Sequence, residues 1–297
     1  MNKNQLVRLA TYASVLIATT LLVLKVFAWW KTDSVAILAS LLDSFIDIIA
    51  SVMIVFAVRI AQTPPDQKHR FGHGNAEPLA ALAQSVFIIG SAGYLILYAV
   101  DRMFNEQTIQ ASGTGLAIMA LSLILTLGLI AFQKYVIKQT NSTAIKADSL
   151  HYVSDVMANI LVILGLWLSH IQWLDPLLAF GIALWIFRSA ITIAKDATQQ
   201  LLDCELPKEI RHHIQEIIVS HPQVRGYNDL RTYQSGPNNF VQFDLELDDH
   251  LTLTESHEIT EEVTSTLKDA FENMDVIIHQ EPASLKHDKN HHTWGQS

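Results

Sequence analysis

Apolar residues fill the chain as far as about Leu202, in long runs separated by short polar segments. Six of these runs are long enough to cross a bilayer as helices, which takes about 20 residues. They extend from about Leu9 to Trp30, Val35 to Ala61, Pro78 to Val100, Gly113 to Ile137, Ala144 to Ser169 and Leu174 to Ala194. The first closes on a Trp29-Trp30 pair, residues suited to a membrane interface. A short basic stretch, Met1 to Arg8, precedes it. The run is longer than a signal-peptide core and lacks a small-x-small cleavage site, so it reads as a retained span. Pro64-Pro65 ends the second helix, and the fifth run is amphipathic at its start.

Past Leu206-Pro207 the period changes. Pro207 suits the first turn of a helix whose apolar face is Ile210, Ile214, Ile217 and Ile218. Leu230 to Gln234 reads as a strand, and Gly236-Pro237-Asn238-Asn239 as a turn. Val241, Phe243, Leu245 and Leu247 alternate with Gln242, Asp244, Glu246 and Asp248, the pattern of a half-buried strand. Thr254, His257 and Glu258 open a helix with Ile259, Val263 and Leu267 inside, and Asp275 to His279 is a last strand. The order αββαβ predicts a small α+β domain, a three-stranded sheet covered by two helices. The expected division is a transmembrane domain over 1–202 and a soluble domain over 203–297.

Lys and Arg set the orientation. Lys3, Arg8, Arg59, Lys68, Arg70, Lys134, Lys138, Lys146 and Lys195 fall on one side, against Lys31 and Arg102 in the opposite loops. Both termini and the soluble domain are therefore expected in the cytoplasm. The net charge of −9 comes mainly from the soluble part, and no basic stripe points to nucleic acid. A single cysteine, Cys204, excludes an internal disulfide framework.

Within this apolar frame, Asp43 and Asp47 sit four residues apart in the second run, on one helical face. Insertion scales put each intramembrane Asp at about 2.5–3.5 kcal/mol, so the pair costs roughly 5–7 kcal/mol and needs a partner inside the protein. His151 and Asp155 repeat the i, i+4 spacing in the fifth run, and Asp148 and Asn159 continue their stripe. Three carboxylates and one imidazole from two spans form a four-ligand set for zinc, iron, cobalt or manganese. Asp66, His69 and His73, at i, i+3, i+7 after the second span, serve either a metal or a hydrated cytoplasmic surface. Asp244, His257, His279 and Glu281 offer the same two readings in the soluble domain. The tail histidines His287, His291 and His292 offer at most loose metal affinity. His257-Glu258-Ile259-Thr260-Glu261 lacks the second His of the zinc-protease helix, which removes that enzyme class. A divalent-metal channel and a membrane metalloenzyme remain as alternatives to a carrier. The short polar stripes favour a gated carrier over a channel, and no separate general base supports an enzyme.

The Asp43/Asp47 and His151/Asp155 pairs stand beside Phe71-Gly72-His73-Gly74, Leu230-Arg231-Thr232, Gln234-Ser235-Gly236-Pro237 and Val276-Ile277-Ile278-His279-Gln280. Together these motifs resemble the cation diffusion facilitator family over nearly the whole chain. The resemblance implies six transmembrane helices and a metallochaperone-like cytoplasmic domain. It implies a homodimer in the inner membrane that exchanges divalent metal ions for protons, with Zn2+ as substrate and regulatory ligand and Fe2+ or Cd2+ as further substrates. Asp43, Asp47, His151 and Asp155 match the family's transport site. Asp66, His69 and His73 match its loop site. His257, His279 and Glu281 match its cytoplasmic site, with Asp244 beside them. Asn228 and Asp244 stand where a close relative has His, which removes two imidazoles from the two-metal form of that site. Asn75 stands where that relative has a Lys paired with the residue matching Asp203, so this dimer salt bridge is absent.

Overall fold

The computed structural model describes residues 2–32, 35–104, 113–167 and 174–284. The end of the fifth run at Ser169 and the tail histidines His287, His291 and His292 lie outside them, as do the side chains of Lys31, Asp43 and Arg102. The chain divides into two compact units, Met1–Gln199 and Gln200–Ser297.

Six helices build the first unit: α1 (Lys3–Thr32), α2 (Val35–Ala61), α3 (Ala76–Phe104), α4 (Gly113–Thr140), α5 (Thr143–Trp167) and α6 (Leu174–Leu201). Among the described residues, five of them contain a stretch long and apolar enough to cross a membrane. From Ser142 to Tyr152 every α5 residue except Lys146 is buried, so this helix is wrapped by its neighbours. Its polar residues face protein rather than water, which replaces the amphipathic start expected from sequence. The outer helices instead turn Leu16, Phe56, Tyr94, Leu97 and Ile124 outward, as a lipid-facing surface requires.

Small residues let the helices approach closely. Ala10, Ala57 and Ala80 pack with Ile54, Val58 and Val136 where α1–α4 meet. At the start of α5, Ser142 donates a hydrogen bond to the buried Glu77 carboxylate of α3. That carboxylate also takes the backbone N–H groups of Thr143 and Ala144, which have no partner within the helix. The contact fixes the entrance of α5 against α3.

The second unit has the order α7 (Lys208–Ser220), β1 (Gly226–Ser235), β2 (Asn238–Leu247), α8 (Leu253–Ala270) and β3 (Met274–Pro282). The αββαβ reading therefore holds. The sheet order is β1-β2-β3, with β1 and β2 antiparallel and β2 and β3 parallel through the α8 crossover. Gly236 supplies the positive φ of +56° that the β1–β2 turn requires. β1 begins four residues earlier than its sequence pattern suggests. Asp229, at φ +48°, interrupts the register between Asn228 and Arg231, and the bulge breaks the two-residue alternation.

Ile214 and Ile218 of α7 and Ile259, Val263 and Leu267 of α8 close over Val241, Phe243, Leu245 and Leu247. The even-numbered β2 residues are thus left on the opposite face. α8 starts one position before the sequence reading, at a capping box in which Thr252 and Glu255 satisfy each other's backbone N–H. Those hydrogen bonds hold the Glu255 carboxyl below its usual range, led by the Thr252 backbone N–H.

Candidate metal centres

Three groups of acidic and imidazole side chains converge among the described residues. The first joins α2 to α5. His151 Nε2 lies 3.0 Å from Asp47 Oδ1 and 3.9 Å from Asp155 Oδ2. His151 is 6% exposed, whereas Asp47 and Asp155 are only partly buried, so the imidazole is enclosed by protein more fully than the carboxylates. Phe87 of α3 and Tyr152 flank the ring, with centroids 6.2 and 5.6 Å away. One nitrogen and two carboxylate oxygens, brought together by two helices, form an incomplete tetrahedral set. Asp43 stands one helical turn before Asp47 on the α2 backbone. The burial of the imidazole follows from the central position of α5, which only tertiary packing decides.

The stripe continued by Asp148 does not join this cluster. Its carboxylate turns instead to Ser14 of α1 and Gln133 of α4. Tyr152 belongs to the same layer: its hydroxyl donates to the Ser14 carbonyl and lies 2.7 Å from Ser51 Oγ of α2. Nearer the other end of α1, Lys25 Nζ donates to the buried Ser44 Oγ, beside Asp43 in sequence. Sequence reading passed over Ser14, Lys25, Ser44 and Gln133. The available signal was a polar or ionisable residue inside an apolar span, which marks a functional position by default.

The second group forms in the loop after α2. Asp66 Oδ1 accepts the backbone N–H groups of His69 and Lys68, at 2.6 and 2.7 Å. These two hydrogen bonds, the His69 one foremost, hold its carboxyl below the usual range although it is exposed. His73 Nε2 lies 3.1 Å from His69 Nδ1 and 3.4 Å from Asp66 Oδ2. Gly72, at φ +84°, donates its N–H to the His69 carbonyl and turns the chain so that both imidazoles meet. Nothing in the spacing specified this turn, yet it sets two nitrogens and one oxygen side by side.

The third group lies on the open face of the sheet. Asp244 and His279 are register partners on the parallel strands β2 and β3, with Oδ1 and Nδ1 3.4 Å apart. Glu281, two residues along β3, places Oε1 3.6 Å from the same nitrogen. His257 does not join them. It is exposed on α8, and α8 packs against the other face of the sheet, so within one chain the sheet stands between. Asn228 pairs with Asp244 in register and donates its amide to Glu246.

Comparison with known proteins covers both units. Residues 11–202 match the cation efflux transmembrane domain, and residues 206–283 match the cytoplasmic domain of cation efflux proteins. The cation-efflux pump FieF of Klebsiella pneumoniae subsp. pneumoniae is 45% identical over 289 residues, 96% of each chain. The cation-efflux pump FieF of Cronobacter sakazakii is 46% identical over 284 residues, 95% of each chain. The solved metal-bound C-terminal domain of the CzcD transporter from Thermotoga maritima is 21% identical, with a TM-score of 0.26, over 27% of this chain and 98% of its own.

Proposed function

The chain belongs to the cation efflux family, the cation diffusion facilitators, and from that premise we propose that it exports Zn2+ from the cytoplasm in exchange for protons. Fe2+ and Cd2+ are further substrates of the same site. The observation that carries this reading is the buried His151 held between Asp47 and Asp155 inside a helical bundle. Asp43, one turn away on α2, completes the transport site.

Charge explains why metal and protons exchange. Three carboxylates with a divalent cation leave a net charge of −1, whereas the empty site would carry −3 in a poorly polarisable interior. Protons must then take the place of the cation, on His151 and on at least one carboxylate. Metal ligation requires the same groups deprotonated, so each ion expels the other. Alternate opening of one site to either side, by rocking of helix groups, turns this competition into antiport. An inward proton gradient then drives zinc out across the inner membrane, with both termini in the cytoplasm.

His151 supplies the one nitrogen of the site. His151→Asp leaves an all-oxygen set and is expected to move preference from Zn2+ toward Mn2+, read as competitive uptake in proteoliposomes. An unchanged preference would remove His151 from the ligand set.

The loop group and the sheet-face group are proposed as further zinc sites, the second with His257 joining Asp244, His279 and Glu281 only where two chains meet. The cytoplasmic domain spanning 203–297 is then the dimer contact and a metal sensor, biased by differential affinity for its two arrangements. Truncation after Pro207 is expected to yield monomers by light scattering and to remove the zinc dependence of transport. A truncated chain that stays dimeric would contradict this role.

A further inference from the structure

His151 accounts for one proton of the exchange, and one wholly buried carboxyl beside the centre is placed to hold another. Asp148 lies one turn before His151, and its residue, Ser14 and Gln133 are each 0% exposed. Ser14 Oγ is 2.6 Å from Asp148 Oδ2 and 3.1 Å from the Ala10 carbonyl. Gln133 Nε2 is 2.8 Å from Asp148 Oδ2 and 3.0 Å from Ser14 Oγ. Asp148 Oδ1 is sealed from solvent and meets no hydrogen-bond donor among the described residues.

This arrangement accepts either protonation state without moving a heavy atom. With Asp148 ionised, the Ser14 hydroxyl and the Gln133 amide both donate to Oδ2. With Asp148 neutral, its own O–H donates to Ser14 Oγ, and the serine hydrogen turns to the Ala10 carbonyl. The two states differ at Oδ1. An anion leaves that oxygen charged and without a donor, which an apolar interior penalises heavily. A neutral acid leaves only a carbonyl there. The anion therefore needs a positive charge close by, and the nearest place for one is the Asp47–His151–Asp155 cluster. Residues three apart on a helix have Cβ atoms about 5–6 Å apart.

We propose that Asp148 is a proton site of the transport cycle, loaded while the metal centre is empty and emptied when a divalent cation occupies it. This rests on the proton-exchange reading above. As metal binds, the Asp148 O–H bond breaks, its electron pair stays on the carboxylate, and the proton reaches water on the side from which the metal came when the helix groups rock open. When metal leaves outward, a proton from that side restores the acid. The titratable groups facing Asp148 on its own helix are His151 and Tyr152. α2 brings Asp47 to the far side of His151, and α3 brings Glu77 to the first turn of α5. α1 and α4 bring the neutral Ser14 and Gln133.

The test is the pH dependence of zinc affinity in the full chain in detergent. Each proton displaced by binding adds a tenfold change in affinity per pH unit. Asp47→Ala identifies the zinc held at the transport centre. Asp148→Asn keeps the shape and most hydrogen bonds but has no proton to release. It is expected to keep the zinc that Asp47→Ala loses, while its affinity varies tenfold less per pH unit than that of the unaltered protein. A purely structural Asp148 would weaken folding and leave that slope unchanged, which overturns the proposal. Loss of the same zinc as in Asp47→Ala overturns it too, since Asp148 would then act on the ligands. If Asp47→Ala removes no zinc, the transport-centre reading fails and takes the proposal with it; failure of the proposal alone leaves the Asp47→Ala loss in place. Should Asp148→Asn not fold, Gln133→Leu removes a donor to the anion and leaves Ser14 Oγ to accept from the neutral acid. It is expected to move the steep part of the pH profile to higher pH, and an unmoved profile overturns the proposal.

Discussion

Asp47→Ala is expected to abolish zinc-driven proton movement in proteoliposomes. Asp47 Oδ1 is the atom nearest His151 Nε2, and the two residues come from different helices. Without it, the His151–Asp155 pair of α5 loses this contact with α2, and Asp43 is left as the one carboxylate of α2 in the proposed site. Removing a group that merely orients a metal ligand already costs about 10–100-fold in affinity or activity, so removing a ligand should cost more than about 100-fold. Alanine is the best helix former and Asp47 is only partly buried, so α2 should persist. Unchanged circular dichroism together with lost flux would assign the effect to the site. Zinc flux that survives would place the site elsewhere, and zinc flux without proton movement would identify a channel.

Phe243→Ala should take most of the stability of the cytoplasmic domain. The ring is 0% exposed, at the centre of a core shared by α7, α8 and the sheet. Truncating a buried Phe to Ala costs about 3–5 kcal/mol, against a total of about 5–15 kcal/mol for a typical domain. Phe243 and Asp244 are neighbours on β2 with opposite directions, one into the core and one into the sheet-face cluster. Loss of packing therefore loosens the strand that holds Asp244 in register with His279. Amide hydrogen exchange is expected to accelerate across β2 and β3 by about 100-fold or more, since 1.4 kcal/mol corresponds to a factor of ten. Amides of α1–α6 should be unaffected. Unchanged protection in β2 and β3 would show that this core does not hold the sheet.

Two of the candidate centres bind their members through different kinds of neighbourhood. In the loop, a backbone turn at Gly72 and two amide hydrogen bonds to Asp66 do the assembling. On the sheet, parallel register does it, since Asp244 and His279 are paired by the ladder itself. The membrane cluster has neither device. It depends on α5 being anchored at its start by Glu77 and buried, except at Lys146, through Tyr152. Substitutions at these anchoring positions should therefore disturb His151 without touching it.

Six long helices, a change of period after them, the αββαβ order and the residue types able to hold a metal were legible in the sequence. Each is a local property: a run of apolar side chains, a period of two or of 3.6 residues, a pair at i, i+4. The αL residue Asp229 hid the start of β1 because it breaks that period. What packing alone decided was which side chains meet. The i, i+3 and i, i+4 spacings put Asp148, His151 and Asp155 on one stripe of α5. Yet α5 is enclosed on several sides, so Asp148 turns toward α1 and α4 while His151 turns toward α2. Likewise the pattern placed His257 on α8 and His279 on β3, and the core of the domain set α8 on the face of the sheet opposite to the His279 side chain. A spacing along one element fixes a direction relative to that element only. The partner it meets depends on how separate elements bury their apolar faces against one another.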